Sequence, residues 1–174
     1  GDAVVVTVMT NLGFRLAMEK AGIDVVETAV GDRYVLEALE SRGLALGGEQ
    51  SGHVIFRDLA TTGDGLLTAV QALDAVVRSG RPLSELAGEA MTRLPQVLRN
   101  VRGAERDPSL LRRLAPAVAA VEARLGPQGR VLIRPSGTEP LVRVMAEAPT
   151  EAEADAAVAE LVAAVGRLVD GDRP

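Results

Sequence analysis

The sequence has 174 residues, of which 47% are apolar and only 2% aromatic, so the core must be built from aliphatic side chains. The formal net charge of -5 attracts no polyanion, and we expect no nucleic-acid partner. The absence of cysteine excludes disulfides and thiolate chemistry. The apolar run over residues 3–9 is too short for a signal peptide or a membrane span, so we expect a cytoplasmic protein without a membrane partner.

The first half alternates strand-like and helix-like segments. Its opening run is continuously apolar and β-branched, as in a strand buried on both faces. Asn11 and Asp32 are placed to cap the helices that follow them. The alternation predicts an α/β layer with an at least partly parallel sheet. The predicted strands are 3–9, 23–28, 44–46 and 54–56, and the predicted helices are 12–22, 33–41 and 66–78.

The apolar periodicity weakens between residues 81 and 95, where we predict a boundary between a domain over 1–90 and a domain over 91–174. A helical region is expected from Asp107-Pro108 to Leu125, split or kinked at Pro116. Thr150 and Glu153 form a capping box at the start of the last helix. The second domain is predicted to be α+β, with one face of its sheet covered by helices. Its predicted strands are 96–101, 130–134 and 141–148, and its last helix is 150–169.

The run from Arg134 to Arg143 places two guanidinium groups, two hydroxyls and a glycine around one predicted turn. Arginine offers a planar fork that fits a phosphate, and the glycine lets backbone N–H groups surround an anion. The alternative is a surface turn with solvated charges, although Arg143 lies in an otherwise apolar strand and needs a partner. The predicted phosphate-binding residues are Arg134, Ser136, Gly137, Thr138 and Arg143.

A second polar cluster follows the glycines at positions 47 and 48. The carboxylate of Glu49 can accept hydrogen bonds from two vicinal hydroxyls of a sugar, and Ser51 and His53 add further polar groups. A plain glycine-rich turn is the alternative. His53 is the only histidine; a general base and a hydrogen-bonding or structural role are both open to a lone imidazole. We interpret Asp64, directly ahead of a helix, as a helix cap or turn residue rather than a metal ligand.

Together, these residues resemble the α-D-phosphohexomutase family, whose motifs match residues 30–35, 48–53, 61–65 and 134–145 in the family's order. The resemblance covers nearly the whole chain and implies the third and fourth of four domains. These are a mixed-sheet α/β domain 3 and a small TBP-like α+β domain 4, whose antiparallel sheet has helices on one face. The form Glu-Gln-Ser-Gly-His resembles the glucosamine branch of the family. By resemblance, Glu49, Ser51, His53 and Arg33 contact the sugar, and the five residues of the phosphate turn bind the phosphate. The family's acid–base residues lie mainly in the absent half, so the resemblance implies a hydrogen-bonding or structural role for His53 rather than general-base catalysis.

The family moves a phosphoryl group between the 6 and 1 positions of a hexose, through a phosphoserine and a bisphosphorylated sugar, with Mg²⁺ held by aspartates. This sequence has neither the nucleophile context nor an Asp-Gly-Asp-Gly-Asp run, so no catalytic residue or metal ligand is expected in it. The resemblance therefore implies the substrate-binding C-terminal part of an enzyme that isomerises a hexosamine phosphate, feeding UDP-N-acetylglucosamine and cell-wall synthesis. Its partners would be the hexosamine phosphate and the missing N-terminal domains, and alone it should be inactive.

Three alternatives stay open at this point. The chain could belong to a phosphoglucomutase or phosphomannomutase of the same family. It could also be a non-catalytic module that binds sugar phosphates. In the third alternative it is a purely structural module whose arginines make internal ion pairs.

Overall fold

The computed structural model describes residues 2–102, 109–136, 139 and 141–171. The chain divides into two compact units, Gly1–Arg93 and Leu94–Pro174. Within the described ranges, no helix has both the length and the apolar character that crossing a bilayer requires.

The first unit is a mixed four-stranded sheet flanked by helices. Its strands are β1 (Ala3–Thr7), β2 (Asp24–Thr28), β3 (Leu46–Gly48) and β4 (Val54–Phe56), and its helices are α1 (Leu12–Lys20), α2 (Asp32–Arg42), α3 (Gly65–Ser79) and α4 (Leu83–Ala90). The strand order is β2-β1-β3-β4; β1 runs parallel to β2 and β3, and β4 is antiparallel to β3. Because β2 and β3 flank β1 on opposite sides, right-handed crossovers place α1 and α2 on opposite faces. The predicted α/β layer is confirmed.

The core of this unit lies between the sheet and α2, where Val5, Val35 and Leu39 are fully buried. A Cβ atom on Gly47 would lie 2.7 Å from Val35 Cγ1 and 2.9 Å from the carbonyl oxygen of Val5. Strand and helix therefore approach too closely for a side chain at this position. The predicted third strand, 44–46, is wrong by two residues because the glycines belong to the strand and not only to the turn after it.

Side-chain caps begin two of the three predicted helices. Asn11 Oδ1 accepts a hydrogen bond from Gly13 N at 3.0 Å, and Asp64 Oδ1 accepts from the backbone of Leu66 and Leu67 at 2.8 and 3.0 Å. Both predicted caps are confirmed. Asp32 as the cap of the second helix is wrong, because Gly31 is the N-cap and Asp32 is the first helical residue.

Helix α4 was not predicted from the sequence. Its apolar residues Leu83, Leu86, Ala87 and Ala90 recur at helical spacing, but the helix is only eight residues long and none of its residues is buried. Arg81, just ahead of it, instead bonds Glu85 at 3.3 Å and Glu89 at 2.9 Å along the helix surface. These local ion pairs and the favourable position of Pro82 before the first turn account for the helix.

The second unit is a three-stranded antiparallel sheet with two helices. The strands are β5 (Gln96–Arg102), β6 (Arg130–Pro135) and β7 (Leu141–Glu147), in the order β5-β7-β6. The helices are α5 (Leu110–Leu125) and α6 (Glu151–Gly171). Val142, Val144 and Ala146 of the central strand join the helices in one core. Because side chains alternate along a strand, Arg143 and Glu147 lie on the other face.

The helix ends of this unit agree with the sequence in one case and differ in another. Thr150 Oγ1 accepts from Glu153 N at 3.2 Å while Glu153 accepts from Thr150 N at 3.1 Å, which confirms the capping box. A split of α5 at Pro116 is wrong, because the helix is continuous through it. The predicted start at Asp107-Pro108 lies outside the described residues.

A buried polar group occupies the strand face that does not meet the helices. The Glu147 side chain has no exposed surface, and its two oxygens accept hydrogen bonds from Gln96 Nε2 and Arg130 Nε, each at 2.7 Å. These two donors lie on the strands on either side of β7. The ionised carboxylate is thus compensated within the sheet, as burial of a charge requires.

Candidate functional site

The turn between β3 and β4, residues 49–53, is held by its own backbone; we call it the acidic turn. Glu49 N–H donates to the His53 carbonyl at 2.9 Å, and Gly52 N–H donates to the Glu49 carbonyl at 3.0 Å. Gly52 has a φ of 90°, a conformation that favours glycine. Ser51 is exposed within this turn, where its hydroxyl is accessible.

The carboxylate of Glu49 is anchored to the beginning of α2. Its Oε1 accepts a hydrogen bond from the backbone N–H of Gly31 at 2.8 Å, at the N-cap position. The positive end of the helix dipole stabilises a negative charge placed there. A carboxylate bound through one oxygen keeps acceptor capacity on the other, which suits hydroxyl groups of a ligand.

His53 is held between two other segments of the same unit. Its Nδ1 lies 3.6 Å from Asp32 Oδ2, and its Nε2 lies 3.2 Å from the carbonyl oxygen of Gly63. A Cβ atom on Gly63 would lie only 1.6 Å from His53 Cδ2, so the ring occupies space that only glycine leaves open. The hydrogen-bonding role of His53 within the protein is therefore visible, while its contact with a sugar stays a prediction.

Arg33 lies in the first turn of α2, and its guanidinium contacts a residue of the same helix. Its Nε donates to Glu37 Oε1 at 2.7 Å, and four fifths of the side chain is exposed. The hydrogen bond and charge of Glu37 raise the pKa of the Arg33 guanidinium above its ordinary value. The group is thus a permanent cation engaged along the helix surface, and its contact with a ligand stays a prediction.

Two segments that are distant from each other in the sequence meet the acidic turn. Residues 30–35 provide Gly31 and Asp32, and residues 61–65 provide Gly63. Both segments carry family motifs, but the sequence does not show that they surround Glu49 and His53. Their contacts depend on tertiary structure, so only the joint occurrence of the motifs could have signalled them.

The second group of predicted residues lies on a hairpin, residues 134–143, which we call the arginine hairpin. Arg134 of β6 is directly opposite Arg143 of β7, so both side chains project from the same face of the sheet. Directly opposite residues have Cβ atoms about 4.5–5.5 Å apart, and like charges at such positions are destabilising. The pair thus concentrates positive charge at one point of the sheet face.

The protein compensates these two charges incompletely among the described residues. Arg143 Nη2 lies 3.8 Å from Glu139 Oε2, a long contact between half-exposed groups. Arg134 Nε is buried and has no hydrogen-bond partner. A buried N–H without a partner costs about 1–3 kcal/mol. An anion in contact with both guanidinium groups would relieve this cost and the mutual repulsion.

Ser136 closes the arginine hairpin. Its backbone N–H donates to the Leu141 carbonyl at 2.9 Å, and its Oγ accepts from Glu139 N–H at 3.3 Å. Its hydroxyl hydrogen can still be donated to an anion. Gly137 and Thr138, the other predicted phosphate-binding residues, lie outside the described residues.

Magnesium, which the family resemblance implies, does not fit the part of the chain that the structure describes. No three carboxylate or imidazole side chains are grouped there as a metal site. Asp64 uses its carboxylate to cap α3. We therefore assign no Mg²⁺ ligand to these residues.

The α/β unit and the small antiparallel unit after it correspond, in this order, to the last two domains of the phosphohexomutases. The family model described as "Phosphoglucomutase/phosphomannomutase, alpha/beta/alpha domain III" matches residues 1–94, and "Phosphoglucomutase/phosphomannomutase, C-terminal domain" matches residues 89–164. The chain belongs to this family, which confirms the predicted resemblance.

Among curated relatives, a phosphoglucosamine mutase of Frankia alni is 64% identical, over 99% of this chain and 38% of the relative. The phosphoglucosamine mutase of Thermobifida fusca is 58% identical, over 95% of this chain and 37% of the relative. The chain therefore spans less than two fifths of the length of these relatives.

Two solved structures share the fold. An N-acetylglucosamine-phosphate mutase in its substrate complex is 25% identical with a TM-score of 0.72, over 97% of this chain and 38% of that protein. The Aspergillus fumigatus N-acetylphosphoglucosamine mutase in complex with GlcNAc-6P and magnesium is 23% identical with a TM-score of 0.77, over 94% of this chain and 41% of that protein. The predicted combination of α/β and α+β folds is confirmed.

Proposed function

We propose that this chain is the substrate-binding C-terminal part of a phosphoglucosamine mutase, which interconverts glucosamine 6-phosphate and glucosamine 1-phosphate. The observation that carries the proposal is the pair of directly opposed arginines, Arg134 and Arg143. Two guanidinium groups with incomplete compensation on one sheet face suit a dianionic phosphate better than any internal partner among the residues that the structure describes. The phosphoglucosamine mutases of Frankia alni and Thermobifida fusca, at 64% and 58% identity, support the choice of substrate.

In this proposal the arginine hairpin binds the phosphate group. Arg134 donates from its otherwise unsatisfied Nε, and Arg143 turns from its 3.8 Å contact with Glu139 to a shorter, charge-assisted bond. Ser136 adds its hydroxyl hydrogen. Gly137 and Thr138 are proposed to complete the group through backbone and hydroxyl donors.

The acidic turn is proposed to recognise the sugar. Glu49, held in place by Gly31, offers its second oxygen to two hydroxyl groups. Ser51 and His53 supply further hydrogen bonds, and Arg33 is proposed as an additional contact. Because Glu49 is anchored before any ligand arrives, little side-chain entropy is lost on binding.

Phosphoryl transfer is proposed to require the N-terminal domains, with their serine nucleophile and Mg²⁺, and not this chain alone. The Frankia alni phosphoglucosamine mutase is much longer than this chain, which covers 38% of it, and this supports the requirement. The cytoplasmic location and the absence of nucleic-acid and membrane partners remain predictions.

The test uses a chimera in which the N-terminal part of the Frankia alni enzyme precedes this chain. We expect turnover of glucosamine 6-phosphate by the chimera and none by the chain alone. Arg134→Ala or Arg143→Ala should lower kcat/KM about tenfold to more than a hundredfold, the loss of one charge-assisted bond. Arg99→Ala is the control, because Arg99 pairs with Asp155 at the surface.

Three outcomes would contradict the proposal or parts of it. A loss of less than about threefold for both arginine variants would remove the hairpin from the site. Turnover by the chain alone would refute the dependence on N-terminal domains. If the chimera had a higher kcat/KM for glucose or mannose phosphates than for glucosamine 6-phosphate, the chain would belong to another branch of the family.

Stability separates this proposal from a structural role for the arginines. If the pair binds an external phosphate, replacing one arginine removes a repulsion, and the free energy of unfolding of the ligand-free chain should not fall. If the arginines made internal ion pairs, the same variants would be destabilised while phosphate binding stayed absent in every protein. Urea titrations without phosphate, followed by calorimetry with glucosamine 6-phosphate, distinguish the two cases.

A further inference from the structure

Helix α3 exposes a continuous apolar stripe to solvent. Leu66, Val70, Leu73 and Val77 are 82%, 60%, 62% and 78% exposed, and no residue of the helix is buried. At 100° per residue these four positions fall within about 60° of one another around the helix axis. Single exposed aliphatic residues are ordinary, but a continuous stripe of four marks a contact surface.

Helix α3 turns its most apolar side outward, unlike a typical surface helix. Its half-buried side chains are of mixed polarity, namely Leu67, Thr68, Gln71, Asp74 and Val76, whereas the purely apolar stripe is the exposed side. An amphipathic helix that only stabilised its own unit would place the apolar stripe inward. The first unit alone therefore gives no reason for this stripe.

We propose that the α3 stripe is the docking surface for the polypeptide that lies ahead of this region in the relatives. The chain covers 38% of the Frankia alni enzyme, and its two matched models are domain III and the C-terminal domain, so most of the relative precedes them. That preceding polypeptide would join the first unit at β1, which begins at Ala3. It is therefore connected to the same unit that carries the stripe.

The size of the stripe favours a connected domain over a second copy of the chain. A stable association between separate proteins buries about 800 Å² on each partner. One helix stripe of four aliphatic side chains supplies less than that. Interfaces between domains of one chain hold at smaller areas, since the covalent connection supplies a high effective concentration. This inference concerns an interface and does not depend on the substrate proposed above.

The experiment measures association of this chain with the separately produced N-terminal part of the Frankia alni phosphoglucosamine mutase. Sedimentation and calorimetry give the Kd for the unaltered chain and for the double variant Leu66→Gln with Leu73→Gln. We expect the double variant to bind at least about tenfold more weakly, because two aliphatic contacts are removed. The matched control is Leu111→Gln, at a leucine of α5 that is 47% exposed. It should bind like the unaltered chain.

A second measurement applies if the separate N-terminal part does not fold, or if it binds this chain too weakly to measure without the covalent connection. In the fused polypeptide, backbone amides of α3 should exchange hydrogen more slowly than in this chain alone, and the double variant should abolish that protection.

Unchanged exchange in the fusion, or equal affinity of the double variant and the control, would overturn the proposal. So would a dimer of this chain alone that the double variant dissociates, since the stripe would then bind a second copy.

Discussion

Replacing Gly63 by alanine should displace the only histidine of the chain. The new Cβ would lie 1.6 Å from Cδ2 and 2.0 Å from Nε2 of His53, far inside any van der Waals contact. Gly63 is not among the glycines with positive φ, so its backbone accepts alanine without strain. The whole effect must therefore come from the imidazole ring, which has to leave its place.

The displacement has a calculable cost. The ring would lose the 3.2 Å hydrogen bond with the Gly63 carbonyl, a net loss of about 0.5–1.5 kcal/mol. Insertion of one carbon into an occupied space usually costs about 1–3 kcal/mol. Because the ring is one-third exposed and can turn outward, we expect the free energy of unfolding of the first unit to fall by about 1–3 kcal/mol.

The assay uses the fact that His53 is the only histidine. Its imidazole protons give an unambiguous NMR signal that reports on the first unit alone, and a urea titration of that signal yields the free energy of unfolding. In Gly63→Ala the signal should also shift before any denaturant is added. Gly65→Ala is the control, because a Cβ atom on Gly65 meets nothing within 4 Å.

If Gly63→Ala kept both the His53 signal and the unfolding free energy within about 0.5 kcal/mol of the unaltered chain, the described position of the ring would be wrong. A shift of equal size in Gly65→Ala would point to a general effect on the start of α3. Either result would remove the argument that His53 is anchored beside Asp32.

Three further predictions concern stability and are measured by urea denaturation. Asp64→Ala should lower the free energy of unfolding by about 0.5–2 kcal/mol through loss of the α3 cap, whereas Asp64→Asn should retain most of it. Gly47→Ala should cost about 1–3 kcal/mol, because its Cβ would meet Val35 at 2.7 Å; a neutral result would refute the close packing of strand and helix. Glu147→Ala should cost about 3–5 kcal/mol by breaking a buried ion pair, against less than about 1 kcal/mol for Asp155→Ala at the surface; similar losses would contradict the burial of Glu147.

Much of the fold could be predicted because strong local signals agree with the tertiary structure. The capping box at Thr150 and the caps at Asn11 and Asp64 are set by hydrogen bonds within three residues, so they can be identified without knowledge of the fold. Buried strands such as β1 are apolar on both faces and stand out in the same way.

The errors have a common physical cause. Gly47 has the composition of a turn residue, yet it pairs with Val5 of β1 and Ile55 of β4 and leaves the space that Val35 occupies. Helix α4 was missed although Leu83, Leu86, Ala87 and Ala90 recur at helical spacing, because the segment is only eight residues long and directly follows Pro82. In both cases the decisive interaction was not hydrophobic burial of a regular face.

The two groups of residues in the candidate site could be predicted from the sequence, but the contacts between their side chains could not. The motif around Arg134 indicated phosphate chemistry, whereas its direct opposition to Arg143 depends on the register of β6 and β7, which the turn length alone does not determine. The anchoring of Glu49 by Gly31 joins residues eighteen positions apart in the chain. Such contacts follow only from the packing of α2 beside the acidic turn.

The alternation of charged and apolar side chains along β7 also limits how this unit can misfold. A slip of one residue against either neighbouring strand would turn Arg143 and Glu147 toward the helices and remove Val142 and Val144 from the core that they share with α5 and α6. A sheet with this slipped register would be less stable, because two ionic groups would be desolvated in the apolar core. The charged residues on the sheet face away from the helices thus favour a single strand register during folding.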